Sequence, residues 1–218
     1  DFSAYNYSSL AIFDDASCCY IAGCMNVSAP NYNPEACFDD ASCVAPILGC
    51  ANPEASNFDP IANTTLAYGG ALNNTIGEGG YFNYNQHLLF DASKECVIKS
   101  AVVYSESSNT ITFELRNSNG VVIDDTTLTV VAGEQRIPLN FDVPVATDLQ
   151  LGVAEDALQE EGLYRNSTGP SYPYDIASAI NIFGSSANDE DYYYFYYDIE
   201  VTTCCDNVDS SWECNNNR

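Results

Sequence analysis

Ten cysteines among 218 residues carry the richest chemistry in this chain. None lies in a Cys-x-x-Cys pair, and the single histidine, His87, offers no zinc constellation. The adjacent pairs Cys18-Cys19 and Cys204-Cys205 are ordinary in disulfide frameworks and unusual in metal sites. Disulfides are therefore expected, and with them an oxidising compartment. The second group with chemical potential is acidic. Asp14-Asp15 and Asp39-Asp40, with Asn31 and Asn33 nearby, offer the carboxylate and amide oxygens that calcium takes. No Asp-x-Asp-x-Asp-Gly loop is present, and the plainer expectation for the same residues is Asx turns and a solvated acidic face.

The elements that hold these groups are repeated. Ala4-Tyr5-Asn6-Tyr7 leads to Phe13-Asp14-Asp15-Ala16-Ser17-Cys18, and Ala29-Pro30-Asn31-Tyr32-Asn33-Pro34 leads to Phe38-Asp39-Asp40-Ala41-Ser42-Cys43. A third copy begins at Ala55-Ser56-Asn57-Phe58-Asp59-Pro60 and never reaches an acidic Ser-Cys end. Gly23-Cys24 opens the second copy and Gly49-Cys50 the third, whereas the first lacks this opening. Each unit is too poor in apolar residues for a core of its own, so closure by a bridge is expected. Pairing Cys24 with Cys43 closes one repeat, and a loop of that size is stabilised by roughly 3 kcal/mol in the chain-entropy model. Cys18 and Cys50 are then left without repeat partners, and Cys19, Cys37, Cys96, Cys204, Cys205 and Cys214 have partners that spacing does not choose. They pair with each other, with the second domain or with another subunit.

The pattern Gly-Cys-x4-Ala-x-Asn-Tyr-Asn-Pro-x-Ala-x3-Asp-Asp-x-Ser-Cys resembles repeats strung along large secreted and surface proteins of Bacteroidota. The resemblance implies a spacer or stalk beside adhesive and enzymatic modules. It is fullest in the middle copy. The first departs at Ser8-Ser9, and the third loses its acidic end.

Composition narrows the partners. With 31 Asp and Glu against 6 Lys and Arg, the formal net charge is -25, which repels nucleic acid and anionic headgroups. Every Lys and Arg lies at or beyond Lys94, so the first 93 residues carry ten acidic groups and no basic one. No apolar run approaches the roughly 18 residues of a spanning helix, so membrane insertion is not expected. A disulfide-rich chain implies export, and a start inside a repeat points to a mature or trimmed form.

Four parts follow: acidic repeats over 1–66, a Gly/Asn-rich bridge over 67–80, a β-sandwich over 81–203 and a Cys-containing polar tail over 204–218. Strands are expected at 86–91, 95–104, 110–117, 120–131, 135–142, 147–153, 176–183 and 192–202. Asn117-Ser118-Asn119-Gly120 signals a hairpin, and Ile111, Phe113 and Leu115 alternate as one buried face. The fold class is all-β, a jelly-roll-like β-sandwich preceded by small disulfide-stapled, loop-rich repeats. Residues 132–141, Leu163-Tyr164-Arg165, Tyr172-Pro173-Tyr174 and the run Tyr192–Val201 resemble landmarks of a β-sandwich accessory domain of secreted Bacteroidota adhesins and hydrolases. That resemblance implies an appended, non-catalytic module, and Ile199 stands where the related sequences often carry Trp.

The aromatic run 192–197 is expected to be a central strand buried on both faces, with its hydroxyls at the rim. Tyr164, Tyr172 and Tyr174 are the better candidates for a ligand- or partner-facing patch. Asn6, Asn26, Asn63, Asn73 and Asn166 fit the Asn-x-Ser/Thr glycosylation pattern. His87 is expected as a satisfied sheet-edge residue, and no Gly-x-Ser-x-Gly elbow or phosphate loop accompanies it. The expectation is a non-enzymatic extracellular structural or adhesive protein, a subunit or segment of a surface fibre or stalk that associates with itself or a neighbouring surface protein. The alternative is a glycan-binding accessory module of a larger secreted hydrolase. Calcium is the one cofactor the residues suggest.

Overall fold

A computed structural model describes residues 1–13, 15–27, 29–155, 162–203 and 205. Asp14, Cys204, Cys214 and the polar tail beyond Cys205 lie outside the described residues. The chain forms two units, Asp1–Pro46 and Ile47–Arg218. The third repeat copy thus belongs to the second unit and not to the array before it.

The first unit is built without an apolar core. Its buried hydrophobic positions are Ala4, Ala29, Cys19 and Cys24, while Phe2, Leu10, Ile12 and Phe13 are exposed. Strands β1 (Ala22–Gly23) and β2 (Phe38–Asp39) pair in parallel as its one short ladder among the described residues. Bridges Cys19–Cys37 and Cys24–Cys43 hold it, and the Tyr5 ring stacks on Phe38 at 4.8 Å.

The second unit is an antiparallel β-sandwich. Its strands begin with β3 (Leu66–Gly69), β4 (Gly79–Phe82), β5 (Leu88–Ala92), β6 (Cys96–Ser105) and β7 (Asn109–Arg116). They continue with β8 (Val122–Val130), β9 (Gly133–Val143), β10 (Ala146–Val153), β11 (Leu163–Asn166) and β12 (Tyr174–Ile176). Last come β13 (Ile180–Ser185), β14 (Tyr193–Tyr194) and β15 (Tyr197–Thr202). One sheet runs β12-β13-β5-β10-β7-β8. The other is centred on β6, which pairs with β9, β11 and β15, with β3 outside β15 and both β4 and β14 beside β11. No helix among the described residues is long and apolar enough to cross a membrane.

Alternation drives this arrangement. Ile111, Phe113 and Leu115 on β7 are fully buried with Phe90 on β5 and Leu151 on β10. From the other sheet Ile98, Val103, Phe141 and Val201 meet them in one core. The outer face of the β7–β8 hairpin carries hydroxyl pairs instead, Thr112 with Thr127 at 2.8 Å and Thr110 with Thr129 at 3.2 Å. Asn117 closes the hairpin, its carbonyl accepting from Gly120 N–H at 2.9 Å. The expected bridge over 67–80 contains most of β3 and the start of β4, because backbone pairing to β15 and β11 compensates for its weak strand composition.

The aromatic run is not one strand. Tyr193, Tyr194, Phe195, Tyr196 and Tyr197 are all buried, which period-two alternation on a one-core sheet does not allow. The chain breaks at Phe195, whose φ of 65° re-aims the backbone between β14 and β15. Nor do the hydroxyls sit at the rim. Tyr193 Oη accepts from Ala71 N–H at 3.0 Å, Tyr196 Oη donates to the Gly152 carbonyl, and Tyr197 Oη donates to Asn166 Oδ1 at 2.9 Å. Buried phenols need such partners, and these bonds join strands and loops far apart in sequence.

Asn166 is the polar centre of this corner: its Nδ2 donates to the carbonyls of Asn74 and Gly77 at 3.0 and 3.1 Å. Replacing Asn166 by Ala is expected to destabilise the sandwich by roughly 1–3 kcal/mol for the buried groups it orphans, measured by denaturant unfolding.

Candidate functional site: the clasped repeats

The three copies share one backbone scheme. The alanine amide bonds back three residues (Ala4 to Asp1, Ala29 to Asn26, Ala55 to Asn52), at 3.0–3.2 Å. The alanine carbonyl in turn accepts from Tyr7, Tyr32 and Phe58. In copies 2 and 3 the next residue, Asn33 or Asp59, donates its amide to the carbonyl of the opening cysteine, Cys24 or Cys50, at 2.9 and 2.8 Å. Glycine before that cysteine is dictated by close approach. A Cβ on Gly49 meets the Ala62 methyl at 2.8 Å, and one on Gly23 meets Asn33 Nδ2 at 3.2 Å.

An asparagine then clamps each Ser-Cys end. Asn31 donates Nδ2 to the Ser42 carbonyl at 2.8 Å and accepts from Val44 N–H at 2.9 Å. Asn6 does the same with the Ser17 carbonyl and Cys19 N–H, at 2.6 and 2.9 Å. The residues considered for calcium are engaged locally. Asp39 accepts from Ala41 N–H, Asp40 from Ser42 N–H, Asp15 from Ser17 N–H and Oγ, and Asn33 from Glu35 N–H. Hydrogen bonds from the serine side chain and amide hold the Asp15 and Asp40 carboxyls below the usual carboxylate range. Among the described residues no three His, Cys, Asp or Glu side chains gather as a metal cluster. Asp14 lies outside the described residues.

Closure separates the copies. Copy 2 is closed by Cys24–Cys43, and Cys19–Cys37 adds a second bridge. Copy 3 has no closing cysteine of its own, and Cys205, 155 residues away, supplies it to Cys50. Around that bridge the copy is fastened to the sandwich. Leu48 is fully buried in the core and its N–H donates to the Ala177 carbonyl at 2.9 Å. The Lys94 ammonium donates to the Leu48 carbonyl at 2.7 Å and to Asp59 Oδ2 at 2.6 Å. Its hydrogen bond is the main cause holding the Asp59 carboxyl below the usual range. Spacing alone did not reveal this partner; Lys94, the first basic residue of the chain, lies in the turn between β5 and β6. Among the described residues Cys18 and Cys96 are free thiols. Cys96 is buried at the start of β6, and burial pushes its thiol up to about 12, leaving it inert.

The tyrosines expected to form a patch are partly buried. Tyr172 and Tyr174 pack edge-on at 5.5 Å and lie against Tyr193, and Tyr172 Oη donates to the Tyr192 carbonyl at 2.8 Å. Burial raises the Tyr172 phenol well above its ordinary value. Both are packed against the core and stay partly exposed. Tyr164 is half-buried, with its edge toward Tyr81. The open aromatics on this side are Tyr81 and Tyr84, 46% and 66% exposed, and Arg165 lies between the Phe82 and Tyr192 rings at 4.8 and 4.7 Å.

Of the glycosylation candidates, Asn166 is fully buried with its amide spent on three carbonyls, so the folded chain does not present it. Asn6 is exposed but its amide forms the clamp above; Asn26 and Asn63 are exposed, and Asn73 caps the short 3-10 turn Asn74–Ile76. His87 is not a satisfied sheet-edge residue. It sits just before β5 with Nδ1 buried and unpartnered among the described residues, and burial, aided by Arg116, lowers its pKa to about 4.

No protein family, curated protein or solved structure matches this chain.

Serine at Cys50 and Cys205 is expected to destabilise the second unit by up to about 5 kcal/mol in the chain-entropy model for so long a loop, read as a lower denaturation midpoint. His87 gives a pH test with a defined sign. The unfolded chain takes up its proton near 6.5 and the folded chain only near 4, so stability falls as pH drops through that window. Replacing His87 by Gln is expected to flatten that part of the stability profile, with no change above pH 7 beyond a constant offset.

Proposed function

We propose that this chain is a non-enzymatic extracellular structural or adhesive protein, a subunit or segment of a cell-surface fibre or stalk. The observation that carries this reading is the Cys50–Cys205 bridge, which completes a repeat with a residue from beyond the sandwich. Repeat and sandwich thereby become one covalently closed building block. Three disulfides fit an oxidising compartment, and a charge of -25 keeps a crowded exported protein soluble. Partners are other copies of the chain or neighbouring surface proteins.

A glycan-binding accessory module is the second reading, and exposed Tyr81 and Tyr84 favour it, since phenol faces at a sheet edge suit sugar rings. One set of measurements separates the two. Electron microscopy of native material, with non-reducing gels, is expected to show the chain within an elongated assembly. A strictly monomeric protein whose ten cysteines are all paired internally overturns the fibre reading. Glycan-array binding lost on replacing Tyr84 by Ala replaces it with the second.

A further inference from the structure

The sheet that starts at β12 ends at β8, and among the described residues no strand pairs with the outer side of β8. Ladder parity shows which groups that side presents. The Ala154 amide donates to the Thr112 carbonyl at 2.9 Å, so the Thr112 main chain faces β10. Thr127, opposite Thr112 on β8, therefore sits in a non-hydrogen-bonded pair, the kind that brings side chains close. The hydroxyl contacts Thr112–Thr127 and Thr110–Thr129 carry that signature. It follows that Asp125, Thr127 and Thr129 turn their main-chain N–H and C=O groups away from β7, out of the sheet. The Asp125 amide is held by Asp124 Oδ1 at 2.9 Å. Among the described residues the outward groups of Thr127 and Thr129 have no partner.

The other edges are guarded or short. β9 carries Pro138, a left-handed Asn140 at φ 55° and an Asp142 amide that donates to Asp124 Oδ2 at 3.0 Å. β3, β4, β12 and β14 have at most four residues each. β8 has nine residues without Pro or Lys, and its one register shift lies at the hairpin end, by Arg116.

This strand is complementary to itself. Its outer face reads Ile123, Asp125, Thr127, Thr129 and Val131, and the apolar ends, 43% and 55% exposed, lie four residues either side of Thr127. Turned about a two-fold axis at Thr127, the strand meets a second copy antiparallel. Thr127 then faces Thr127, Asp125 faces Thr129 and Ile123 faces Val131. Apolar meets apolar and carboxylate meets hydroxyl, with no like charges opposed in a chain of net charge -25. Centring on Asp125 sets carboxylate against carboxylate, and centring on Thr126 sets Ile123 against a threonine. We propose that β8 is a self-association edge, where two copies join antiparallel about Thr127 into one continuous sheet. The two Thr127 residues exchange both amide bonds, and each Thr129 amide donates to the Asp125 carbonyl of the other copy. The ladder stops at Val131, whose main chain is capped by the Gln135 side chain at 3.1 and 2.6 Å.

The inference deepens the structural reading above and rests on it for the partner being another copy. A two-fold contact closes on itself, so a fibre uses a second surface besides this one. Sedimentation velocity of the full chain is expected to show a concentration-dependent dimer. Thr127→Pro removes both central bonds at a position whose N–H makes none within its own sheet, and is expected to weaken the dimer at least about tenfold. Ile123→Lys with Val131→Lys opposes like charges and is expected to abolish it, whereas Ile123→Lys with Val131→Glu is expected to restore it. Circular dichroism is expected to show each variant folded. Benzoylphenylalanine at position 123 is expected to crosslink to Val131 of the other copy, read by mass mapping. A chain monomeric at every concentration, a dimer indifferent to the lysine pair, or a crosslink mapped away from Val131 and its neighbours overturns the proposal. A dimer with these properties but no elongated assembly in native material removes the fibre reading and leaves this edge standing. A native fibre whose chains show no dimer sensitive to the lysine pair does the reverse.

Discussion

Covalent closure is the constraint on which this protein depends. A repeat that surrounds one buried alanine with acidic turns cannot fold by apolar burial, since a methyl group removes too little surface from water. What remains is to limit the unfolded chain, and Cys24–Cys43 and Cys19–Cys37 do so within a few tens of residues. The hydrogen bonds then choose a single conformation inside each closed loop. The asparagine clamp, the Asx turns and the glycine pressed on its alanine are details that a loop already short in conformations is able to fix.

The sandwich solves the opposite problem. It has apolar area in excess, much of it aromatic, and must find partners for the phenols it buries. Breaking the run at Phe195 lets five consecutive rings enter the interior, and their hydroxyls then reach Ala71, Gly152 and Asn166. The same corner fixes the segment before β4, because Asn166 holds the carbonyls of Asn74 and Gly77. A stretch rich in glycine and asparagine is thereby ordered by side chains nearly a hundred residues away.

That distance explains what was legible beforehand. The β7–β8 hairpin was, since Ile111, Phe113 and Leu115 alternate and Asn117–Gly120 carries its own turn chemistry. The Cys24–Cys43 loop was, since one repeat contains both ends. β3 and β4 were not, because their stability comes from pairing with β15 and β11 and not from their own residues. Tyr172 and Tyr174 looked like surface residues in a turn-rich segment, and only the third dimension sets them against Tyr193. The Cys50–Cys205 partnership was equally hidden, as spacing carries no information about cysteines so far apart.

That bridge also determines how the molecule bears tension. Residues 51–204 form a loop whose two ends are tied by one S–S bond. A force entering before Cys50 and leaving after Cys205 has a covalent path through the bond, and the sandwich meets it only through the contacts of Leu48 with Ala177 and Lys94. Roughly 500 Å of chain, at ~3.5 Å per residue, is thus kept out of the load path. Only reduction of the bond releases that length. The sandwich is carried along the chain as a side loop, and its hydrogen bonds are free to serve its shape alone.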